Sequence, residues 1–190
     1  MVNKVNLELF NNNWYKRQIG ASWLKQICWY FINVCFFCNR LNPSSSLKVW
    51  LLKIFGAQVG KNVVIKPAVN IKYPWKLTIG DNSWIGEKVW IDNLAVVRIG
   101  RNVCISQGAM LLTGNHDYKK ITFDLVIGEI ELADGVWIGS RATVCPGIKC
   151  GTHSVLSALS VATTNLGSYK IYQGNPAQEI RERKISDHIE

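Results

Sequence analysis

Leu132-Ala133-Asp134-Gly135-Val136-Trp137-Ile138-Gly139-Ser140-Arg141-Ala142-Thr143-Val144 sets an aliphatic residue at every sixth position, and the count continues through Cys150, Leu156 and Ala162. Upstream, the same count runs through Val59, Ile65, Ile71 and Leu77, then slips by two to Ile79, Ile85, Ile91 and Val97. A second slip of two leads to Ile99, Ile105 and Leu111. Glycine follows many of these positions, at Gly60, Gly80, Gly86, Gly100, Gly139 and Gly151. A period of six is neither helical nor simple strand alternation, and regular hexads are the mark of a parallel β-helix. Two positions before the repeat residues stand more small or apolar ones, such as Val63, Val69, Val89, Val103, Ala109, Val136, Ala142 and Ile148. Residues two apart on a strand face the same way, so each hexad offers two inward side chains and then turns a corner. The pattern predicts an all-β solenoid whose coils bury a continuous column by stacking.

At 190 residues the chain has room for one domain, alone or with an appendage, and 48% hydrophobic content supports a sizeable core. Its 22 basic and 13 acidic residues leave a formal charge of +9, which favours anionic partners. Apart from Arg181-Glu182-Arg183-Lys184 the cations are scattered, and no nucleic-acid motif accompanies them. A phosphate-bearing cofactor or an acidic membrane surface fits at least as well, and no nucleic-acid partner is expected. The six cysteines make neither a zinc site nor a disulfide framework. Cys35-Phe36-Phe37-Cys38 has CxxC spacing without a second pair, which reads as buried free thiols in a reducing cytosol. The first twenty residues lack the apolar stretch and cleavage site of a signal peptide.

Residues 1–20 are polar and Asn-rich and read as extended or weakly ordered. Residues 21–38 are apolar and aromatic with Lys25 the one charge, and three readings stay open. The segment is a helix covering the column or a subunit neighbour, a helix lying in a membrane interface, or a short span. Ser44-Ser45-Ser46 caps a second helix through Lys48 to Phe55, which Gly56 ends. The expected organisation is an N-terminal polar arm and helical segment over 1–56, the β-helix over 57–177, and a short C-terminal helix or tail over 178–190. Residues 114–130 leave the repeat and return to it, forming an excursion on the outside of the column.

Chemistry concentrates where the repeat stops. Of three histidines, His188 lies near the chain end and His153 occupies a hexad turn. His116 stands between Asn115 and Asp117 at the start of the excursion, and an imidazole there can take a proton from a hydroxyl at neutral pH. Trp84 and Trp90, near corners, offer aromatic faces suited to sugar rings, or simply pack on the surface.

These residues resemble a family. The hexads, Thr113-Gly114-Asn115-His116-Asp117-Tyr118, Gly135-Val136-Trp137-Ile138-Gly139-Ser140, Pro146-Gly147 and Gly174-Asn175-Pro176-Ala177 look like the hexapeptide-repeat acyltransferases. The flavour is that of the acetyltransferases of colanic-acid-type exopolysaccharide synthesis, with the maltose and galactoside O-acetyltransferases as wider relatives. The resemblance covers roughly residues 45–184 and implies a left-handed parallel β-helix in a homotrimer, with active sites in clefts between neighbouring columns. It implies His116 as general base, flanked by Asn115 and Asp117. It places Trp137, Ser140, Ala158 and Thr163 along the acyl-CoA track and Asp92 or Asn93 near the acceptor, where the aromatic face of Trp90 would flank the sugar. Thr164 and Gln178 stand where galactoside-type enzymes carry a lysine and an arginine, so Arg181 and Arg183, with Lys184, are the candidates for the phosphate end of coenzyme A. Ser157 and Leu159 replace glycines beside the pantetheine.

The implied activity is acetyl transfer from acetyl-CoA to a sugar hydroxyl, without a metal, by a cytoplasmic enzyme that works at the inner face of the membrane if residues 21–38 are interfacial. Asp117 or a backbone carbonyl would hold the imidazole in the right tautomer. Other readings remain open at this stage: N-acetylation of an amino sugar on the same fold, and a non-catalytic hexapeptide scaffold. A zinc lyase needs three converging histidines, and the other two follow His116 by 37 and 72 residues.

Overall fold

A computed structural model describes residues 4–186, which leaves His188 outside the described residues. The hexads form a left-handed parallel β-helix of about six turns with helices at its N-terminal end. Its strands stack into three parallel sheets, the flat faces of a triangular column. Face A holds Gln58–Val59, Leu77–Ile79, Val97–Ile99, Ile130–Leu132 and Lys149–Cys150. Face B holds Val64–Ile65, Trp84–Ile85, Cys104–Ile105, Trp137–Ile138, Val155–Leu156 and Lys170–Gly174. Face C holds Asn70–Ile71, Trp90–Asp92, Met110–Leu112, Thr143–Val144 and Val161–Ala162. The core is the repeat itself: Ile65, Ile85, Ile105, Ile138 and Leu156 stack in one fully buried column, with the small residues two positions earlier buried beside them.

The two slips in the count have a common place. Partners on face B are 20 residues apart from Val64 to Trp84 and from Trp84 to Cys104, 33 from Cys104 to Trp137, and 18 from Trp137 to Val155. Eighteen is three plain hexads. The extra residues of the early turns all leave the column between face C and face A, at 73–76, 93–96 and 113–129. One corner therefore carries every insertion, and the largest of them carries His116. Asn93 is fully buried in that corner: its Nδ2 donates to the Tyr73 carbonyl at 2.6 Å and its Oδ1 accepts from the Tyr73 N–H at 2.9 Å. Thr113 continues the ladder, its hydroxyl donating to the Asp92 carbonyl at 2.8 Å and accepting from Ala95 N–H at 2.9 Å.

Residues 5–20 are more ordered than their polar composition predicts. They contain a short helix, α1 (Asn13–Lys16), and they strap the same corner. Asn6 N–H donates to the Ile121 carbonyl, the buried Tyr15 hydroxyl donates to the Leu94 carbonyl, and Trp75 Nε1 donates to the Ile19 carbonyl. Burial pushes the Tyr15 hydroxyl pKa well up. Helix α2 (Trp23–Ile32) starts at Ser22, whose side chain accepts from Lys25 N–H, and runs on into a π-helical turn at Asn33–Phe37. Its inner stripe of Trp29, Asn33 and Phe37 is buried, and Trp29 Nε1 donates to the Ile71 carbonyl at 2.8 Å. Helix α3 (Ser45–Ile54) begins at the predicted serine cap, with Ser44 accepting from Leu47 N–H. It closes the open end of the column with Leu52 and with Lys48, a fully buried cation that donates to the carbonyls of Asn42, Ile65 and Lys66. Burial lowers the Lys48 pKa, and the three carbonyls offset that cost.

At the other end, residues 177–182 form a strand where a helix or tail was expected. Ala177–Glu182 runs antiparallel to Lys170–Gly174 and so covers the last edge of face B. The thiols also depart from expectation. All six cysteines are free, but Cys28 and Cys35 are exposed because the outer side of α2 and its π turn carries them, and Cys38 is half-buried. Cys150 is enclosed in the column, and burial pushes its pKa up to about 12. A thiol reagent at neutral pH is thus expected to label Cys28 and Cys35 rapidly and Cys150 only after unfolding, as peptide mapping of the labelled protein would show.

Candidate active site

The excursion is a hairpin. Gly114–His116 pairs antiparallel with Leu125–Ile127, with His116 opposite Leu125. The hairpin bends back at Phe123, a non-glycine residue with φ +48°, and this turn brings the Phe123 ring and carbonyl onto His116. The two rings stack at 4.4 Å with 7° between their planes, and Phe10 of the N-terminal strap closes the other approach at 5.5 Å. His116 Nδ1 lies 2.9 Å from the Phe123 carbonyl oxygen. A carbonyl only accepts, so Nδ1 donates to it, and in the neutral ring the lone pair then falls on Nε2. A neutral imidazole held this way is a base with one free nitrogen.

The neighbours of His116 have other tasks. Asn115 Oδ1 accepts from His116 N–H at 2.8 Å. Asp117 turns away from the ring: its carboxylate accepts from Lys119 N–H at 3.1 Å and lies 4.0 Å from Lys120 Nζ. The backbone carbonyl, of the two orienting groups considered, is the one in contact with the ring. Asp92 sits on the same corner one turn below, paired with Lys72 Nζ at 3.1 Å, and Trp90 projects from face C beside it. Both line a cavity of about 410 Å³ under α2, together with Tyr30, Asn33 and Tyr73. Asn93, grouped with them in the sequence, never reaches that surface, because both ends of its amide are spent on Tyr73.

A second group gathers at the corner between faces B and C. Trp137, Ser140, Ala158, Arg181 and Arg183 line one cavity of about 570 Å³. Trp137 lies with its indole half in solvent and Nε1 donating to Ser106 Oγ at 2.9 Å. The Ser140 hydroxyl donates to the Gln107 carbonyl at 3.1 Å. Arg183 is anchored on the carbonyls of Gly135 and His153, while Arg181 is exposed at the rim. Gly139 is required here, since a Cβ would meet the Ala158 backbone nitrogen of the next turn. Thr163 stands apart, exposed at the corner after face C and outside this cavity.

The residues missed by the sequence reading fall into two kinds. Ser106 and Gln107 occupy the same corner as Gly139 and Ser140 one turn earlier, so stacking the hexads would have found them. Phe10 and Phe123 reach His116 from outside the repeat, and no periodic signal marks them. Among the described residues, no three His, Cys, Asp or Glu side chains converge as metal ligands.

The two groups occupy different corners of one column, with face C between them. Apolar side walls, two anchored or rim arginines and an open mouth suit a long ligand with an anionic end; the His116 hairpin suits proton abstraction.

No protein-family model matches the chain. The chain is 36% identical over 164 residues to the putative colanic acid biosynthesis acetyltransferase WcaF of Escherichia coli, covering 86% of this chain and 90% of that protein. It is 32% identical over 149 residues to the galactoside O-acetyltransferase of Escherichia coli, covering 76% and 73%. A solved galactoside acetyltransferase in complex with coenzyme A superposes with a TM-score of 0.74 at 25% identity, covering 85% of this chain and 82% of that one. With the hexad column, the family that the sequence motifs resembled is established: the chain belongs to the hexapeptide-repeat acetyltransferases.

Proposed function

We propose that this acetyltransferase moves the acetyl group of acetyl-CoA to a sugar hydroxyl during assembly of an exopolysaccharide or other surface glycan, with His116 as general base. The observation that carries the reading is the Nδ1 contact to the Phe123 carbonyl, which leaves Nε2 free. Nε2 takes the proton of the acceptor hydroxyl as its oxygen attacks the thioester carbonyl. The tetrahedral intermediate collapses, the C–S bond breaks, and the imidazolium returns the proton to the departing thiolate. No residue is acylated, so mixing enzyme with donor alone should trap no acyl-enzyme. The Ser140 hydroxyl must leave the Gln107 carbonyl before it can serve the developing oxyanion. The names of the relatives support the chemistry: a galactoside O-acetyltransferase and a colanic acid biosynthesis acetyltransferase.

A single column holds the base and the Trp137 cavity apart, so the reading includes a homotrimer whose copies complete one another's sites. The outward side chains support it. Face A shows Thr78, Arg98, Glu131 and Lys149, a water-loving ladder. Face B shows Val64, Trp84, Cys104, Trp137, Val155 and Ile171, and face C shows Trp90, Met110 and Val161 among its outward residues. One apolar face, one mixed face that also shows Asn70 and Thr143, and one charged face fit a column packed on two neighbours.

In this scheme Trp137 binds the donor. Trp137→Ala is expected to raise KM for acetyl-CoA about tenfold, matching loss of an aromatic contact of ~1.4 kcal/mol, with kcat much less affected. Steady-state thiol release over a range of donor concentrations checks this. An unchanged KM would place the donor elsewhere.

A further inference from the structure

The net positive charge of this protein comes from one stretch. Between Glu8 and Asp81 there is no acidic residue, while Lys16, Arg17, Lys25, Arg40, Lys48, Lys53, Lys61, Lys66, Lys72 and Lys76 supply ten cations. The rest of the chain holds 12 of the 22 basic residues and all 13 acidic ones, a balance of −1, so the whole +9 belongs to the N-terminal end of the column. Lys16, Arg17, Arg40 and Lys53 are exposed and take part in no ion pair among the described residues.

That same end displays a second feature. Helix α2 and its π turn carry large apolar side chains on both sides. Trp29, Asn33 and Phe37 face the column, and the opposite stripe consists of Trp23, Leu24, Ile27, Tyr30, Phe31 and Val34. Their spacing of 1, 4, 7, 8 and 11 puts them on one side of the helix. Trp23 is 71% exposed, Tyr30 64% and Phe31 61%, values that a soluble face rarely shows together. No helix among the described residues is long and apolar enough to cross a membrane. Trp50 and Ile54 of α3 add further exposed apolar surface at this end of the column.

We infer that the outer stripe of α2 is a docking surface for an anionic phospholipid bilayer, with the helix lying in the plane of the headgroups. Aromatic residues with apolar bodies and polar edges settle at that depth, and the unpaired Arg17 and Arg40, which flank the helix in sequence, are cations for the negative lipid surface. A second copy of the chain is the poorer occupant. It presents an equally basic N-terminal end, and the remainder of each chain, at a net −1, offers no acidic counterpart to it. The cavity holding Trp90 and Asp92 is lined by Tyr30 from the same helix, so docking brings that opening to the membrane surface.

The test is flotation of the full-length protein with vesicles of neutral phosphatidylcholine alone or with about a third phosphatidylglycerol, at low and high salt. The expected result is binding to the anionic vesicles only, weakened by salt, with each cation at the surface contributing about fivefold. Leu24→Asp/Phe31→Asp should abolish binding, and Arg40→Glu/Lys53→Glu should reduce it at least tenfold. Unchanged circular dichroism and unchanged binding of acetyl-CoA would show that both variants are folded. Failure of the wild type to float with anionic vesicles overturns the inference, as does equal binding to neutral ones. Loss of oligomers by Leu24→Asp/Phe31→Asp in light scattering, with no wild-type flotation, would assign the stripe to a contact between copies.

Discussion

His116→Ala is expected to lose acceptor-dependent acetyl transfer by about 10²–10⁴-fold while still binding acetyl-CoA, because general base catalysis by a positioned imidazole contributes on that scale. The role proposed for the ring depends on its fixed orientation. Nδ1 is tied to the Phe123 carbonyl, the ring is stacked on Phe123, and Phe10 closes the far side. His116→Gln therefore serves as the sharper variant. Its amide can keep a polar contact to the hairpin yet cannot accept the proton, so its rate should fall as far as that of His116→Ala. The measurement is single-turnover transfer with saturating donor and acceptor. A loss below tenfold in both variants would remove His116 from the proton transfer.

The second large effect concerns stability. Ile105→Ala should destabilise the fold by ~2–5 kcal/mol, the range for truncating a large buried aliphatic residue where the surroundings cannot collapse. Ile105 is fully buried in the third turn, pinned in register between Ile85 below and Ile138 above by parallel strand pairing on both sides. Those ladders limit any inward relaxation. For a chain of this size each kcal/mol shifts Tm by about 2–4 °C, so a fall of about 4–20 °C is expected by calorimetry. Val126→Ala, on the exposed strand of the hairpin, should stay within about ±0.5 kcal/mol. Equal effects at the two sites would contradict the stacked-column account of stability.

The contrast between the column and its attachments explains what the amino-acid sequence discloses. Each hexad repeats the same physical problem, two inward side chains and a corner, so the solution repeats too and can be counted. Ile65, Ile85, Ile105 and Ile138 were legible for that reason. Even the slips in the count had structural content, since the added residues all emerge at the corner that carries His116. Contacts between distant, aperiodic segments left no such trace. Nothing in the order of residues announces that Asn6 bonds to Ile121, that Phe10 meets His116, or that both ends of the Asn93 amide fasten on Tyr73. Glu179 and Arg181, charged as they are, occupy the strand that covers the edge of face B. Their composition suggested a solvated tail, and backbone pairing with Lys170–Gly174 overrode it. For the site, the motif residues around His116 and Trp137 were readable singly, whereas their distribution over two corners of one column required the fold.

Acetyl transfer to a hydroxyl is tested most directly by the bond that the product contains. The protein would be incubated with acetyl-CoA and a panel of sugars, amino sugars and nucleotide sugars, thiol release followed, and the acetylated product treated with mild alkali. The expected result is acceptor-dependent release, lost in His116→Ala, and an acetyl group that alkali removes as an ester. An alkali-stable amide on an amino sugar, or an enzyme that neither releases thiol with any acceptor nor binds coenzyme A, would contradict the account.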